Sequence, residues 1–104
     1  MIQIQWTCAT IEEARKIIRL LLEHRLVACA NIVQNVESHY RWEGALETST
    51  EVKVYLKTEE RRFKEVELLI RKNSSYQVPE IVSFKALAIS HPYEQWVLGE
   101  VKGT

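Results

Sequence analysis

Between Leu26 and Trp42 the chain carries neither Gly nor Pro. Apolar residues there run first on both parities, in Leu26-Val27-Ala28-Cys29-Ala30, and then alternate. Ser38, Tyr40 and Trp42 interleave with Glu37, His39, Arg41 and Glu43. A period of two predicts strand, and apolar residues on both parities predict a strand covered on both faces. The segment is one strand of up to 17 residues, or two parted by a bulge near Gln34-Asn35. Globular strands average about 5–6 residues, so part of it must project beyond the body of one subunit. Gly44 supplies the turn, and the return strand sets Val52, Val54 and Leu56 against Glu51, Lys53, Tyr55 and Lys57.

The flanking segments complete the pattern. Ile2, Ile4, Trp6 and Cys8 share one face of a first strand. Thr10-Ile11-Glu12-Glu13 fits a capping box, with Glu13 reaching back to the helix start. Ala14, Ile17, Ile18, Leu21 and Leu22 then predict a helix to about His24. A second helix opens at Thr58 or Glu59, buries Phe63, Val66, Leu69 and Ile70, and stops at a left-handed Asn73. Pro79 begins a strand running through Ile81 to Ala88, and Pro92 begins a short helix with Tyr93, Trp96, Val97 and Val101 on one side. The order β-α-β-β-α-β plus a terminal helix predicts an α+β, ferredoxin-like split βαβ fold in a single domain over 1–104. Helices would cover one sheet face only, so the other face is expected to be buried against copies of the chain.

Composition removes several function classes. The 14 Lys+Arg balance 14 Asp+Glu, which argues against bulk electrostatic binding to nucleic acid or an anionic membrane. No apolar run reaches the roughly 18 residues of a bilayer span. The alternating start Met1-Ile2-Gln3-Ile4 does not resemble a signal peptide, so a cytoplasmic location is expected. Cys8 and Cys29 match no metal-ligand spacing and are read as reduced thiols. His24, His39 and His91 have no mutual spacing of a zinc site.

Five segments in register resemble one family, the CutA divalent-cation-tolerance proteins. Leu26-Val27-Ala28-Cys29-Ala30-Asn31-Ile32 is similar to the family's L-x-A-C-x-N-[IV]. Ser38-His39-Tyr40-Arg41-Trp42-Glu43-Gly44 resembles the S-x-Y-x-W-x-G hairpin arm. Lys57-Thr58 closes strand three, Tyr76-Gln77-Val78-Pro79-Glu80-Ile81 resembles the tail of H-P-Y-x-x-P-E-[IL], and Tyr93-Glu94-Gln95-Trp96 fits the closing Y-x-x-W. The resemblance implies an intertwined homotrimer, related in assembly to PII-type signalling trimers. It implies an association with copper and other divalent metals, and no catalytic reaction.

The chain departs from the pattern where soft-metal ligands would stand. Asn73, Ser74 and Ser75 occupy the positions of family histidines and His-Pro, Trp6 that of a cysteine in some members, and Ala9-Thr10 that of Pro-Asp. Cys29, Glu43 and Glu80 remain as weak metal candidates, so no cofactor is required and a divalent cation such as copper would be held weakly. Arg25, Cys29, Asn31, Tyr40, Trp42, Lys57, Tyr76, Glu80 and Trp96 form the candidate cleft or interface set. Aromatics with one wet end favour such places, and Lys57 with Glu80 would be its charged anchors.

Two other classes share this topology. An RNA-recognition module wants an aromatic-rich strand three, and Glu51-Val52-Lys53-Val54-Tyr55-Leu56-Lys57 has one aromatic and no glycine. An acylphosphatase-type hydrolase wants a phosphate-cradling loop after strand one, and Cys8-Ala9-Thr10 has neither Gly nor Arg. A non-enzymatic, metal-responsive trimer is the leading reading, with a small-ligand-binding signalling trimer as the alternative and a nucleic-acid-binding module of this topology as a distant one.

Overall fold

The structure, a computed structural model, describes residues 1–103; Thr104, the last residue of the expected domain, lies outside the described residues. Seven main elements follow in order: β1 (Ile2–Cys8), α1 (Ile11–Glu23), β2 (Cys29–Trp42), β3 (Ala45–Thr58), α2 (Phe63–Asn73), β4 (Ile81–Lys85) and α3 (His91–Glu100). The strands form one antiparallel sheet in the order β2-β3-β1-β4. This is the α+β ferredoxin-like arrangement that the order of elements predicts.

The core follows from strand alternation. Ile2, Ile4, Trp6 and Cys8 lie beside Val52, Val54 and Leu56 on one sheet face. Ala14, Ile17 and Leu21 of α1 and Val66 and Ile70 of α2 close over them. The opposite face carries Gln3, Gln5, Thr7, Lys53, Tyr55 and Lys57, flanked by Val33, Val82 and Phe84, all three exposed. α3 stands apart from the main core and buries Val97, with Val101 buried just beyond its end, whereas Trp96 on the helix is left half exposed.

The long hairpin owes its shape to two backbone features. Glu43 and Gly44 both have positive φ, 49° and 82°, between the paired Trp42 and Ala45. A two-residue loop with both central residues left-handed matches the twist of the flanking strands. β1 pairs with β3 only from Val52 to Thr58. The rest, Val36–Trp42 against Ala45–Glu51, is a two-stranded arm, and it stretches the protomer to 44 × 26 × 21 Å. The bulge falls between Val33 and Val36, with Asn35 at φ 58°. One extra residue reverses the facing of everything after it. Ala30 and Ile32 therefore face the core with Leu56 and Val54, while Ser38, Tyr40 and Trp42 share the open face with Ser49, Glu47 and Ala45.

Five expectations change at this level. Leu26 and Val27 are buried in the loop entering β2 rather than in the strand, because Arg25 turns the chain at φ 54°. Glu13 does not complete a capping box: its backbone N–H donates to Thr10 Oγ1, but its carboxylate points elsewhere. A single 3₁₀ turn, Glu60–Arg62, precedes α2, and Asn73 ends that helix without left-handed geometry. Its side-chain amide donates to Leu69 O instead, at 2.8 Å. β4 is shorter than expected, since it begins at Ile81 and stops at Lys85.

Candidate functional site

The loop between α2 and β4 is laid across one end of the open sheet face. Thr7 N–H donates to Glu80 O at 3.2 Å, which docks the loop on the end of β1. Farther back, Ser75 N–H donates to Glu13 Oε2 at 3.2 Å, and Cys8 Sγ donates to the same oxygen at 3.1 Å. One carboxylate thus ties together the end of β1, the first turn of α1 and the start of the loop. Burial would raise the Glu13 carboxyl, but the hydrogen bonds from Ser75 and Cys8 outweigh it and hold the group below the usual carboxylate range. Burial, together with the hydrogen bond to Glu13, pushes the Cys8 thiol up to about 12. That thiol is a structural donor.

Between this loop and the hairpin arm lies a cleft of about 680 Å³, within the range of small-molecule sites. Tyr40, Trp42 and Glu51 face it from the arm, and Tyr76, Val78, Pro79 and Glu80 from the loop. Burial pushes the Tyr76 phenol up, and the neighbouring Glu51 carboxylate adds to the shift. Glu80 Oε2 accepts from Gln5 Nε2 at 3.0 Å and lies 3.7 Å from Lys53 Nζ. The Tyr40 hydroxyl is 3.2 Å from Ser49 Oγ.

The candidate set therefore divides. Tyr40, Trp42, Tyr76 and Glu80 meet in the cleft. Cys29, Asn31 and Lys57 lie at the other end of the open face, where Cys29 is the cross-strand partner of Lys57 and the Lys57 ammonium donates to Asn31 Oδ1. Lys57 and Glu51 are about 20 Å apart along β3 at roughly 3.3 Å per residue. Lys57 therefore does not meet Glu80 as an anchor of one cleft; the ammonium beside Glu80 is that of Lys53, which does not line the cleft. Burial and the adjacent Cys29 raise the Tyr93 phenol, so α3 sits over this second cluster. Trp96 lies on the same helix, its ring centroid 5.8 Å from that of Tyr93. Arg25 serves that helix: its Nε donates to Glu100 O at 3.0 Å and its Nη2 to Gly99 O at 2.9 Å, which caps the C-terminal carbonyls.

The metal candidates do not converge. Cys29 is under α3, Glu43 is in the turn at the arm's tip, and Glu80 is in the cleft beside Lys53. Among the described residues no three His, Cys, Asp or Glu side chains come together in a way that could hold a metal. Trp6, which stands where some family members have cysteine, is fully buried with its indole N–H unpartnered. The donors of one chain do not fit a soft-metal centre. His39 meets Glu37 at 2.7 Å and Thr48 at 3.2 Å, and the bulge puts it on the strand face opposite to that of Cys29.

Glu51, Thr7 and Gln77 of the cleft and Glu13 beneath it are not in the candidate set. Glu51 had a legible signal in its place on the polar face of the return strand, and Glu13 only as part of the helix-cap motif. Thr7 and Gln77 depend on where the loop docks.

The family profile described as CutA1 divalent ion tolerance protein matches residues 2–100. The chain belongs to the CutA1 family. It is 34% identical to the divalent-cation tolerance protein CutA of Pyrococcus horikoshii over 102 residues, 98% of this chain and 99% of that one. It is 32% identical to human protein CutA over 88% of this chain but 51% of that longer protein. The crystal structure of CutA1 from Pyrococcus horikoshii superimposes with a TM-score of 0.93 at 33% identity, covering 99% of this chain and 100% of that one. The periplasmic divalent cation tolerance protein CutA of Archaeoglobus fulgidus gives 0.94 at 32% identity, covering 98% and 100%. CutA1 of Oryza sativa gives 0.95 at 26%, covering 99% and 94%. No helix among the described residues is long and apolar enough to cross a membrane.

Proposed function

We propose that this CutA1 family member is a non-enzymatic, homotrimeric divalent-cation-tolerance protein. The observation that carries the assembly is the arm: two strands alone, with Tyr40, Trp42 and Leu46 exposed along them. An isolated two-stranded hairpin is marginal in water, so a neighbouring protomer is the cover that makes it stable. Val33, Val82 and Phe84 on the open sheet face extend the same apolar surface. The role in cation tolerance rests on similarity to relatives of that name along nearly the whole chain. The two free cysteines favour a reducing, cytoplasmic setting.

Metal is bound weakly on this reading. Copper prefers thiolate and imidazole, and the present donors are a thiol under α3 and scattered carboxylates. Light scattering at micromolar concentration should return three times 12.2 kDa, and a monomer throughout that range overturns the assembly. Calorimetric titration of the reduced protein with Cu²⁺ should give affinity no tighter than about micromolar, little changed by Cys29→Ser. A nanomolar site abolished by that substitution would mean that protomers jointly build a soft-metal centre.

The cleft favours a second reading beside the first. Its volume, its aromatic walls and its few polar groups suit a small organic ligand, so the trimer would couple ligand occupancy to the arm that holds it together. Saturable calorimetric binding of a small molecule, lost in Trp42→Ala, tests it.

A further inference from the structure

We propose that the groove between the end of α1 and α2, centred on Arg62, binds an aliphatic monocarboxylate. The groove lies on the helix side of the sheet, away from the hairpin arm and the open face that the proposed assembly covers. The inference does not rest on the arm cleft or on its reading as a ligand site.

Arg62 itself is the first argument. Its side chain is only 9% exposed, yet its Nε–H is buried with no acceptor among the described residues. A buried donor left in that condition is costly and rare. The rest of the guanidinium is occupied: Nη1 donates to Glu65 Oε1, and Nη2 donates to Lys102 O and, at 3.0 Å, to Gly103 O. Nε and Nη2 form one edge of a planar fork, and a carboxylate offers such an edge two oxygens side by side. In Arg62 that edge has one donor idle and the other spent on neutral backbone oxygens. A charged acceptor there would make stronger hydrogen bonds than they do.

The surrounding charge is the second. Lys102 O accepts from Arg61 Nη2 at 2.9 Å as well as from Arg62, so two guanidinium groups converge on one uncharged oxygen. Glu59 neutralises Arg61 at 2.7 Å, and Glu65 neutralises Arg62. Lys102 also lines the groove, and its ammonium makes no ion pair among the described residues. His24, at the α1 end of the groove, adds no negative charge. A single positive charge is left over, which suits a monoanion better than a dianion such as phosphate.

The walls specify the rest of the ligand. Leu26, Leu68 and Leu69 line the groove, whose volume of about 460 Å³ is that of a small-molecule site. Leu68 keeps 62% of its surface exposed, so an alkyl chain laid against it removes apolar area from water. Entry displaces only Gly103, whose carbonyl yields its Nη2 donor to the ligand. An added Cβ on Gly103 would meet nothing within 4 Å, so that side of the residue is unpacked. Lys102 stays, because its N–H donates to Arg25 O at 2.9 Å and Arg61 still holds its carbonyl. The competing reading is that Arg62 only clamps the 102–103 segment, and the experiment separates the two.

The probes are hexanoate and its uncharged counterpart 1-hexanol, titrated calorimetrically into the assembled wild-type protein. Hexanoate is expected to bind saturably, and at least about tenfold more tightly than 1-hexanol, as a charge-assisted fork contact requires. In ¹⁵N-edited NMR its addition should move the Arg62 Nε–H proton downfield, the signal being assigned by through-bond correlation to the Arg62 backbone. Leu68→Glu, at an exposed position on α2, places a like charge in the groove and should weaken hexanoate several-fold, with light-scattering mass as the control for folding. Equal binding of the two probes overturns recognition of the charge. Hexanoate binding that leaves the Nε–H signal where it was, or that is indifferent to Leu68→Glu, overturns the site. No binding at millimolar hexanoate leaves Arg62 as a clamp alone and overturns the proposal.

Discussion

Glu13 shows what one residue can do when burial and hydrogen bonding compete. Its carboxylate accepts from Ser75 N–H and from the Cys8 thiol, and these bonds lower its pKa against the desolvation that would raise it. A depressed folded-state pKa contributes stability above the unfolded value, lost as pH falls through the folded one. Acid unfolding monitored by circular dichroism should therefore steepen below the ordinary carboxylate range, and Glu13→Gln should flatten that slope. The same substitution should cost about 1–3 kcal/mol at neutral pH, as hydrogen bonds to a charged acceptor do. Cys8 runs the other way. Its thiol is raised to about 12 from 9.0, so its contribution is complete below the unfolded value and is lost as pH climbs from about 9 towards 12. Iodoacetamide at pH 8 should modify Cys29 in the native protein and leave Cys8 untouched until denaturant is added. Early labelling of Cys8 would show that its cover opens readily. From sequence, Glu13 was legible as the fourth residue of a cap motif, and the cap half of that motif is present. Its carboxylate partners were not, because Ser75 lies 62 positions away along the chain.

At the scale of elements, one residue in β2 decides which face the arm presents. Asn35 occupies the left-handed region at φ 58° inside the bulge, a conformation that Asn tolerates and β-branched residues do not. Asn35→Gly should be close to neutral and Asn35→Val should cost about 1–2 kcal/mol in chemical denaturation. Deleting Asn35 is the sharper test. With the register continuous, Tyr40 and Trp42 turn to the opposite face, and both trimer mass and ligand binding should be lost although β1, α1 and α2 keep their places. Gly44 at φ 82° is a simpler case: an added Cβ would meet nothing within 4 Å, so Gly44→Ala should cost only the backbone penalty, about 1–2 kcal/mol. The sequence pointed to the bulge and the turn because a 17-residue uninterrupted strand segment needs relief and Gly44 needs a reason. It did not point to the early end of β4. That end depends on β1: Ile2 pairs with Lys85 and Met1 O accepts from Ala86 N–H at 3.2 Å, and there β4 ends.

The whole molecule is a half-covered sheet with a long arm, and its expected partner is itself. Trp42 at the arm's end lines the cleft and keeps 39% of its surface exposed, whereas His39 spends its ring nitrogens on Glu37 and Thr48 of its own protomer. Trp42→Ala should therefore weaken assembly far more than His39→Ala, by about 3–5 kcal/mol if the indole is buried between protomers. Dilution series followed by light scattering distinguish the two. Equal dissociation of both variants would mean that Trp42 is not an anchor.

Local rules were sufficient for the alternating faces of β1 and β3, the helical stripe of α1, the Gly44 turn and the order of elements. Each depends on periodicity or on the steric limits of single residues, and both are properties of neighbours in the chain. The family was legible for a related reason, since its motifs sit on those same local elements. What tertiary structure decided was which polar groups meet. Nine candidate residues became a cleft around Tyr40, Trp42, Tyr76 and Glu80, a second cluster of Cys29, Asn31 and Lys57 under the helix that carries Trp96, and a helix cap made by Arg25. That division follows from the bulge, which reverses one strand's faces, and from the docking of a loop through Glu13 and Thr7. Contacts between residues tens of positions apart have no signature in spacing, because they form only when the sheet exists to bring them together.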